Sequence, residues 1–140
     1  MKLFKGKLAL QQRVLPSYRV PFFDLLASHC ENGMTLFAGQ ARSEEMIVSG
    51  STQLAEHVEA RNIHLLNGKF YLCYQTGFIN WLEKSNPDAL IVEANPRYLS
   101  TPFAAKWMHK RAKKVIGWGL GIPFSLKGRG VKGEGQKKFR

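Results

Sequence analysis

The sequence predicts an α/β fold of three layers, in which a mostly parallel sheet lies between helices. The first indication is the stretch 87–123, where an apolar strand, an amphipathic helix and a second apolar strand follow one another. Strands that are buried on both faces of a parallel sheet form such continuous apolar runs, joined by helical crossovers. The second indication is the alternation of strand and helix patterns along the chain, which is typical of a doubly wound sheet.

The first part of the chain supplies two strands and two helices. The apolar residues after the first turn predict a helix that ends near Gly33, since glycine is a suitable helix stop. Ser51 or Thr52 is suited to cap a second, short helix that runs to Arg61. The strands are predicted at 7–12 and 34–37, the turn at 16–21 and a polar loop at 40–45.

The middle of the chain allows two interpretations. Asn67-Gly68 separates two apolar runs, and this dipeptide is the strongest short hairpin signal. The alternative is a strand followed by an extended segment that enters the next helix. We favour the alternative, because Phe78, Ile79 and Leu82 have helical spacing. The two apolar runs are 63–66 and 70–74, and the helix is predicted at 75–85.

The last predicted unit runs from strand 88–93 through a helix to strand 115–118. Ser100 lies where a helix N-cap is needed, and Pro102 falls in the first turn, where its missing N–H is harmless. With 140 residues, 44% of them hydrophobic, the chain is long enough for one ordinary core. We therefore expect one domain at 1–126 and a basic, flexible tail at 127–140.

The net charge of +11 is concentrated in the last third of the chain. Residues 1–96 hold nine Lys or Arg and nine Asp or Glu, whereas residues 97–140 hold twelve basic residues and one acidic residue. Such asymmetry points to an anionic partner, either nucleic acid or an acidic membrane surface, or to a solvated basic face. The absence of an RNA-recognition or helix-turn-helix signature argues against nucleic acid. The membrane- or anion-contacting residues are predicted to be Lys106, Lys110, Lys113 and Lys114.

The cysteine content favours a reducing compartment. Cys30 and Cys73 are too few for a disulfide framework, and neither has a second ligand at zinc spacing. No metal site is predicted, and no histidine lies in a recognisable catalytic pattern. No apolar run reaches the length of about 20 residues that crosses a bilayer. We expect a cytoplasmic protein, either free or peripheral on the inner face of the membrane.

Polar residues follow two of the predicted strands. Arg19 and Arg97 both come after turn prolines, where a guanidinium can bind phosphate or carboxylate in a bidentate manner. Glu93 ends a buried strand and needs a partner, either Arg97 or a backbone amide. Because ligands of open α/β sheets bind outside the carboxyl ends of the strands, these residues are candidates for a site.

Two segments of the sequence resemble a known family. They are PSYRVPFF, at 16–23, and EANPRYLST, at 93–101. Their paired order resembles the N-terminal Rossmann-like domain of GT-B glycosyltransferases of the family 4 type, over about residues 7–123. The resemblance implies one half of a GT-B architecture, in which the first domain holds the acceptor and a second domain binds the nucleotide-sugar donor.

The resemblance also implies what this chain does. It predicts a partial glycosyltransferase that is inactive alone and binds a sugar or lipid-linked acceptor, with its donor domain supplied separately. No cofactor is expected in this part, since the nucleotide-sugar belongs to the second domain, and no catalytic residue is assigned. The alternative is a nucleic-acid-binding or membrane-surface module without catalysis. The predicted acceptor-binding residues are Tyr18, Arg19, Glu93, Asn95, Arg97 and Gly119.

Overall fold

The structure, a computed structural model, describes residues 2–119. Seven strands and three helices lie within this range. The strands are β1 Leu8–Val14, β2 Met34–Gly39, β3 Glu56–Glu59, β4 Arg61–Leu65, β5 Leu72–Thr76, β6 Ala89–Glu93 and β7 Lys114–Trp118. The helices are α1 Val20–Ser28, α2 Phe78–Ser85 and α3 Thr101–Lys110.

Five of the strands form one parallel sheet in the order β3-β2-β1-β6-β7. β1 lies in the centre, where Leu10 is opposite Leu36 of β2 on one side and Ile91 of β6 on the other. The chain winds from β1 towards one edge and then from β6 towards the other, which is the strand order of a Rossmann-like fold. The predicted α/β fold with a mostly parallel sheet is confirmed.

The helices lie on both faces of this sheet and make three layers. Leu8 and Leu10 of β1 pack with Phe23 of α1 in one core cluster. Ala9, between them, packs with Leu82 of α2 and with the α3 residues Ala104 and Met108 in a second cluster. Because successive side chains of a strand point to opposite faces, an apolar run such as that of β1 supplies both cores.

α3 begins where predicted, whereas α1 ends earlier than predicted. Ser100 precedes α3 and Pro102 lies in its first turn, as predicted. The Ser100 hydroxyl does not cap the helix, however, but accepts a hydrogen bond from the Gln75 N–H at 3.2 Å. α1 ends at Ser28, well before Gly33. With φ of 86°, Gly33 instead turns the chain into β2, in a conformation that glycine adopts readily.

The predicted helix from Ser51 to Arg61 is wrong. The chain there forms the edge strand β3, in which Glu56 is opposite Thr35 and Val58 is opposite Phe37. An edge strand has one free side and carries polar residues on both faces, so its sequence lacks the apolar run of a central strand. The spacing of its few apolar residues therefore resembled that of a helix.

The favoured interpretation of the middle segment is also wrong. β4 and β5 pair in an antiparallel hairpin, with Ile63 opposite Tyr74, and they form a two-stranded sheet of their own. Asn67 and Gly68 lie within the hairpin connection, which includes a 3₁₀ turn at Gly68–Phe70. Because β5 extends to Thr76, α2 begins later than predicted.

The end of the chain adds two further points. The predicted domain boundary at residue 126 and the predicted tail 127–140 lie outside the described residues. Within residues 2–119, no helix is both long enough and apolar enough to span a membrane.

Candidate functional site

The candidate site begins at an irregularity in β1. Between Gln11 and Val14, β1 has one residue more than β2, which is a β-bulge. At the bulge, the Arg13 N–H donates a hydrogen bond of 2.6 Å to Oε1 of Glu93, the last residue of β6. The carboxyl group is thereby held against the end of the central strand. One of the two partners predicted for Glu93, a backbone amide, is therefore confirmed.

A cavity of about 190 Å³ opens at this point. It lies at the carboxyl ends of β1 and β6, between the strands where the winding of the sheet reverses. Ligands of open α/β sheets bind preferentially at such a position. The cavity is lined by Arg13, Val14, Pro16, Tyr18, Arg19, Ile47, Glu93 and Tyr98.

Arg19 is held in place on one wall of the cavity. Its Nη1 donates a hydrogen bond of 2.5 Å to Oε1 of the buried Gln12. Its guanidinium also lies over the ring of Trp118 at 5.1 Å and near that of Tyr18 at 5.7 Å. These contacts fix the plane of the guanidinium, so that it presents N–H donors in a defined direction.

Glu93 is the acidic group of the cavity. Burial raises the pKa of Glu93, and the Arg13 N–H together with the charges of Arg19 and Arg13 opposes this rise. Burial also raises the pKa of the Tyr98 hydroxyl, and the nearby Glu93 charge adds to the effect. The cavity therefore combines a carboxyl group, two guanidinium groups and two phenols, a set that both donates and accepts hydrogen bonds.

A second group of side chains, beside the cavity, binds the guanidinium of Arg13. Arg13 Nη2 forms an ion pair of 3.0 Å with Glu45, and its Nη1 donates to the Tyr71 hydroxyl at 3.3 Å. Glu45 also pairs with Arg42 at 2.6 Å, and the Arg42 guanidinium stacks on the Tyr71 ring at 4.0 Å. Burial lowers the pKa of Arg13, but the hydrogen bond with Glu45 and nearby charges outweigh it, so the net pKa is raised.

Side-chain amides attach the β4–β5 hairpin to the bulge. Gln75 donates to the carbonyl of Gln12 at 3.0 Å and accepts from the side chain of Gln11 at 2.6 Å. Asn62 donates to the carbonyl of Arg13 at 2.7 Å. Carbonyls that the bulge removes from the regular ladder are thus satisfied. The hairpin is held where Tyr71 reaches Arg13.

The cavity is lined by only some of the residues that the sequence predicted for the site. Tyr18, Arg19 and Glu93 line the cavity, whereas Asn95 and Arg97 lie outside its lining. Asn95 Oδ1 accepts a hydrogen bond from the Arg97 N–H at 2.9 Å and so closes the turn after β6.

Arg97 instead supports the hairpin. Its Nη1 donates to the carbonyls of Lys69 and Tyr71, at 2.7 and 3.0 Å. Gly119 lies against the turn after β6, since a Cβ there would stand 3.3 Å from the carbonyl oxygen of Ala94. Its role is close backbone packing beside the site.

Of the four lysines predicted to contact anions, three are exposed and one is hydrogen-bonded within the fold. Lys106, Lys110 and Lys114 are exposed. Lys113 instead donates to Asn86 Oδ1 at 2.8 Å and to the carbonyl of Pro87 at 2.7 Å. It closes the turn between α2 and β6, so its ammonium group is committed to the fold.

Sequence reasoning missed several residues of the site. Arg13 lies one residue beyond the predicted end of β1, and Tyr98 lies in the turn after β6, so their positions at strand exits were the available signal. Glu45 and Tyr71 reach the site through a loop and a hairpin. Nothing in their spacing along the chain indicates this proximity.

A larger cavity, of about 360 Å³, lies between β3 and α2. Its apolar wall is the stacked pair Phe37 and Trp81, with ring centroids 4.8 Å apart. The Trp81 N–H is satisfied by the Thr35 hydroxyl at 2.9 Å. This cavity is away from the carboxyl ends of β1 and β6, and we take the smaller cavity as the candidate site for that reason.

Neither a metal site nor a similar protein identifies the function. Among residues 2–119, no three His, Cys, Asp or Glu residues come together to hold a metal ion. Comparisons of the chain with family models, curated proteins and solved structures find no match. The chemistry of the cavity is therefore the basis for the proposal that follows.

Proposed function

We propose that this chain is the acceptor-binding domain of a GT-B glycosyltransferase and that the cavity at β1 and β6 binds the sugar of the acceptor. The observation that carries the proposal is the hydrogen bond that the Glu93 carboxyl accepts from the Arg13 N–H, at the carboxyl ends of β1 and β6. The paired segments PSYRVPFF and EANPRYLST, which resemble segments of this family, contribute Tyr18, Arg19 and Glu93 to the cavity.

The chemistry of the cavity suits a sugar. Hydroxyl groups both donate and accept hydrogen bonds, so they pair with carboxylate oxygens and with guanidinium N–H groups. The exposed ring of Tyr18 supplies an aromatic surface beside the fixed guanidinium of Arg19. The nucleotide-sugar donor would bind to a second domain, so the domain described here binds without catalysing transfer.

Ligand-observed NMR tests the proposal with methyl glycosides of common hexoses as probes. We expect at least one glycoside to bind the full chain, and Glu93→Gln or Arg19→Met to weaken binding by about tenfold or more, the effect of losing one charged hydrogen bond. Glu59→Gln and Arg61→Met are matched controls at exposed positions, and we expect them to bind as the wild type does.

Three results would overturn the proposal. The first is that no glycoside binds, and the second is that a glycoside binds equally to the wild type and to the Glu93→Gln variant. The third is that UDP-glucose alone binds and depends on Glu93, which would make the cavity a donor site. Circular dichroism of each variant verifies that the loss is not one of folding.

We further propose that the domain attaches peripherally to an anionic membrane through one side of α3. Phe103, 60% exposed, lies on this side with Lys106 and Lys110, at spacings of three and seven residues. Exposed aromatic rings beside lysines bind anionic bilayers, and each lysine near the surface contributes about 1 kcal/mol. This surface would bring the domain to a lipid-linked acceptor.

Vesicle flotation tests the membrane proposal. We expect the chain to float with phosphatidylserine-containing vesicles but not with phosphatidylcholine vesicles, and the double variant Lys106→Gln/Lys110→Gln to lose this binding. Lys69→Gln/Lys84→Gln removes the same charge from exposed positions elsewhere and should retain it. Equal binding by the two double variants contradicts the proposal, as does binding to a short DNA duplex but not to vesicles.

A further inference from the structure

The larger cavity, between β3 and α2, is a second place where a ligand can bind. It shares no lining residue with the cavity at β1 and β6. It lies on the face of the sheet that α2 and α3 pack against, since Phe37 and Trp81 belong to that core cluster. Its volume of about 360 Å³ is near the lower end of the range for pockets that bind small molecules. The volume therefore suits a compact molecule.

The middle of this cavity is apolar. Val58 of β3 is opposite Phe37 of β2, and the Phe37 ring stacks on Trp81 of α2. The Trp81 N–H already donates to the Thr35 hydroxyl, so the indole has no free donor for an occupant. This part of the cavity suits an aliphatic or aromatic group.

One end of the cavity carries charges of both signs. Lys7 immediately precedes β1, and Glu56 is the first residue of β3, so both lie towards the amino-terminal edge of the parallel sheet. α2 runs in the opposite direction to the strands, and Lys84 follows Trp81 along it towards this same edge. All three charged side chains line the cavity.

These three side chains are not neutralised within the described part of the chain. Neither Lys7 nor Lys84 forms an ion pair with any carboxylate of residues 2–119, and Glu56 forms none with any cation there. An anion in the cavity would meet the two lysines but also Glu56, and a cation would meet Glu56 but also the two lysines. A molecule that carries both charges close together complements the whole set.

We propose that the cavity between β3 and α2 binds a free α-amino acid with an apolar side chain. Its α-carboxylate pairs with Lys7 and Lys84, and its α-ammonium group pairs with Glu56. Both charged groups of an amino acid are attached to one carbon atom, so a site must meet them at one end, as this cavity does. The side chain of the ligand then extends along Val58 and the stacked rings.

The opposite end of the cavity restricts the side chain of the ligand. Glu59 lines this end, and its carboxylate already accepts a hydrogen bond from the Gln40 side chain at 2.8 Å. An acidic side chain on the ligand would be repelled by Glu59. The site therefore selects aliphatic and aromatic amino acids over aspartate and glutamate.

Ligand-observed NMR with the full chain tests the proposal. The probes are L-phenylalanine and L-leucine, with 3-phenylpropionate and 4-methylpentanoate, which lack the ammonium group, and phenethylamine and isoamylamine, which lack the carboxylate. We expect at least one of the two amino acids to bind, and its two analogues to bind about tenfold more weakly or less, the effect of losing one charged contact.

Variants of the charged residues locate the binding. Glu56→Gln and Lys84→Gln should each weaken the affinity for the amino acid by about tenfold. Glu31→Gln and Lys69→Gln make the same changes at exposed positions elsewhere and should bind as the wild type does.

A second pair of variants tests the cavity itself. Asn80 is an exposed residue of α2 that lines the cavity, and Asn80→Trp should fill it and abolish binding. Glu83→Trp introduces the same side chain on α2 at an exposed position outside the lining and should leave binding unchanged. Circular dichroism verifies that each variant is folded.

Several outcomes would overturn the proposal. They are the failure of both amino acids to bind, equal binding of an amino acid and either of its analogues, and an unchanged affinity in Glu56→Gln or Asn80→Trp. The result is independent of the proposed sugar site, because Glu93→Gln should bind the amino acid as the wild type does. Loss of amino-acid binding in Glu93→Gln would place the ligand in the smaller cavity instead.

Discussion

The ion pair between Arg13 and Glu45 provides a quantitative test of how the candidate site is held. The two side chains are 13% and 14% exposed, and their nitrogen and oxygen are 3.0 Å apart. Glu45→Gln removes the charge and keeps the shape of the side chain. It leaves the Arg13 guanidinium covered and without its carboxylate partner.

The expected loss of stability follows from these contacts. Breaking a buried ion pair by removing one partner costs about 3–5 kcal/mol. The cost here is smaller, because the amide oxygen of the new glutamine still accepts a hydrogen bond and Arg13 keeps its contact with the Tyr71 hydroxyl at 3.3 Å. We expect the free energy of unfolding to fall by about 2 kcal/mol, which corresponds to roughly 8 °C in Tm for a domain of this size.

The effect should also depend on pH in a defined direction. Burial raises the pKa of Glu45, but hydrogen bonds from Arg42 and Arg13 outweigh this and lower it overall. A carboxyl group with a lowered pKa contributes stability above the pKa it has in the unfolded chain. That contribution is lost as the pH falls through the lowered pKa of the folded state. The difference between the wild type and Glu45→Gln should therefore shrink on acidification.

Urea unfolding followed by circular dichroism at pH 7 and at about pH 3 measures both effects. Glu44→Gln is the matched control, because Glu44 is 64% exposed and its oxygen is 4.0 Å from Arg42. If the two variants lose the same stability at pH 7, or if the loss in Glu45→Gln persists unchanged in acid, the ion pair does not stabilise the site as argued.

Three other predictions follow from single contacts. Lys113→Met removes the hydrogen bonds to Asn86 and Pro87, so a thermal melt should show a free energy of unfolding lower by about 1 kcal/mol. The control Lys110→Met, at an exposed position, should change the free energy of unfolding by less than about 0.5 kcal/mol. Burial raises the pKa of the Cys73 thiol. A thiol reagent at about pH 8 should therefore modify Cys73 slowly in the native protein and rapidly in urea. Fast modification of the native protein would contradict the burial of Cys73. Burial raises the pKa of Tyr71 to about 12, so an ultraviolet titration should lose its latest tyrosine step in Tyr71→Phe, and loss of an early step would refute the assignment.

The sequence was most informative where one physical requirement dominates. β6 was predicted because a strand that is buried on both faces of a parallel sheet forms a continuous apolar run. α3 was predicted because Ser100 and Pro102 mark its start independently of the core. β3 was missed, since an edge strand meets neither requirement and its residues are partly solvated on both sides.

The candidate site was predictable only at the ends of strands. Glu93 and Arg19 were identified because their positions follow from where β6 and β1 end. Tyr71 and Glu45 are brought to Arg13 by a hairpin and a loop whose positions depend on the amide contacts of Gln75 and Asn62. Long-range contacts of this kind leave no periodic pattern in the chain, and a bulge likewise has no signature in the local sequence.

A single extra residue in β1, at the β-bulge, distinguishes this site from the end of a regular parallel sheet. With one residue fewer between Gln11 and Val14, β1 would match β2 residue for residue, and alternation would continue without interruption. The Arg13 N–H would then return to the strand ladder, and the carboxyl group of Glu93 would lose its donor. A single-codon deletion at Gln12 is thus expected to leave a continuous sheet without the polar site. In this sheet, one extra residue in the central strand therefore supplies the N–H that holds the carboxyl group at the end of the neighbouring strand.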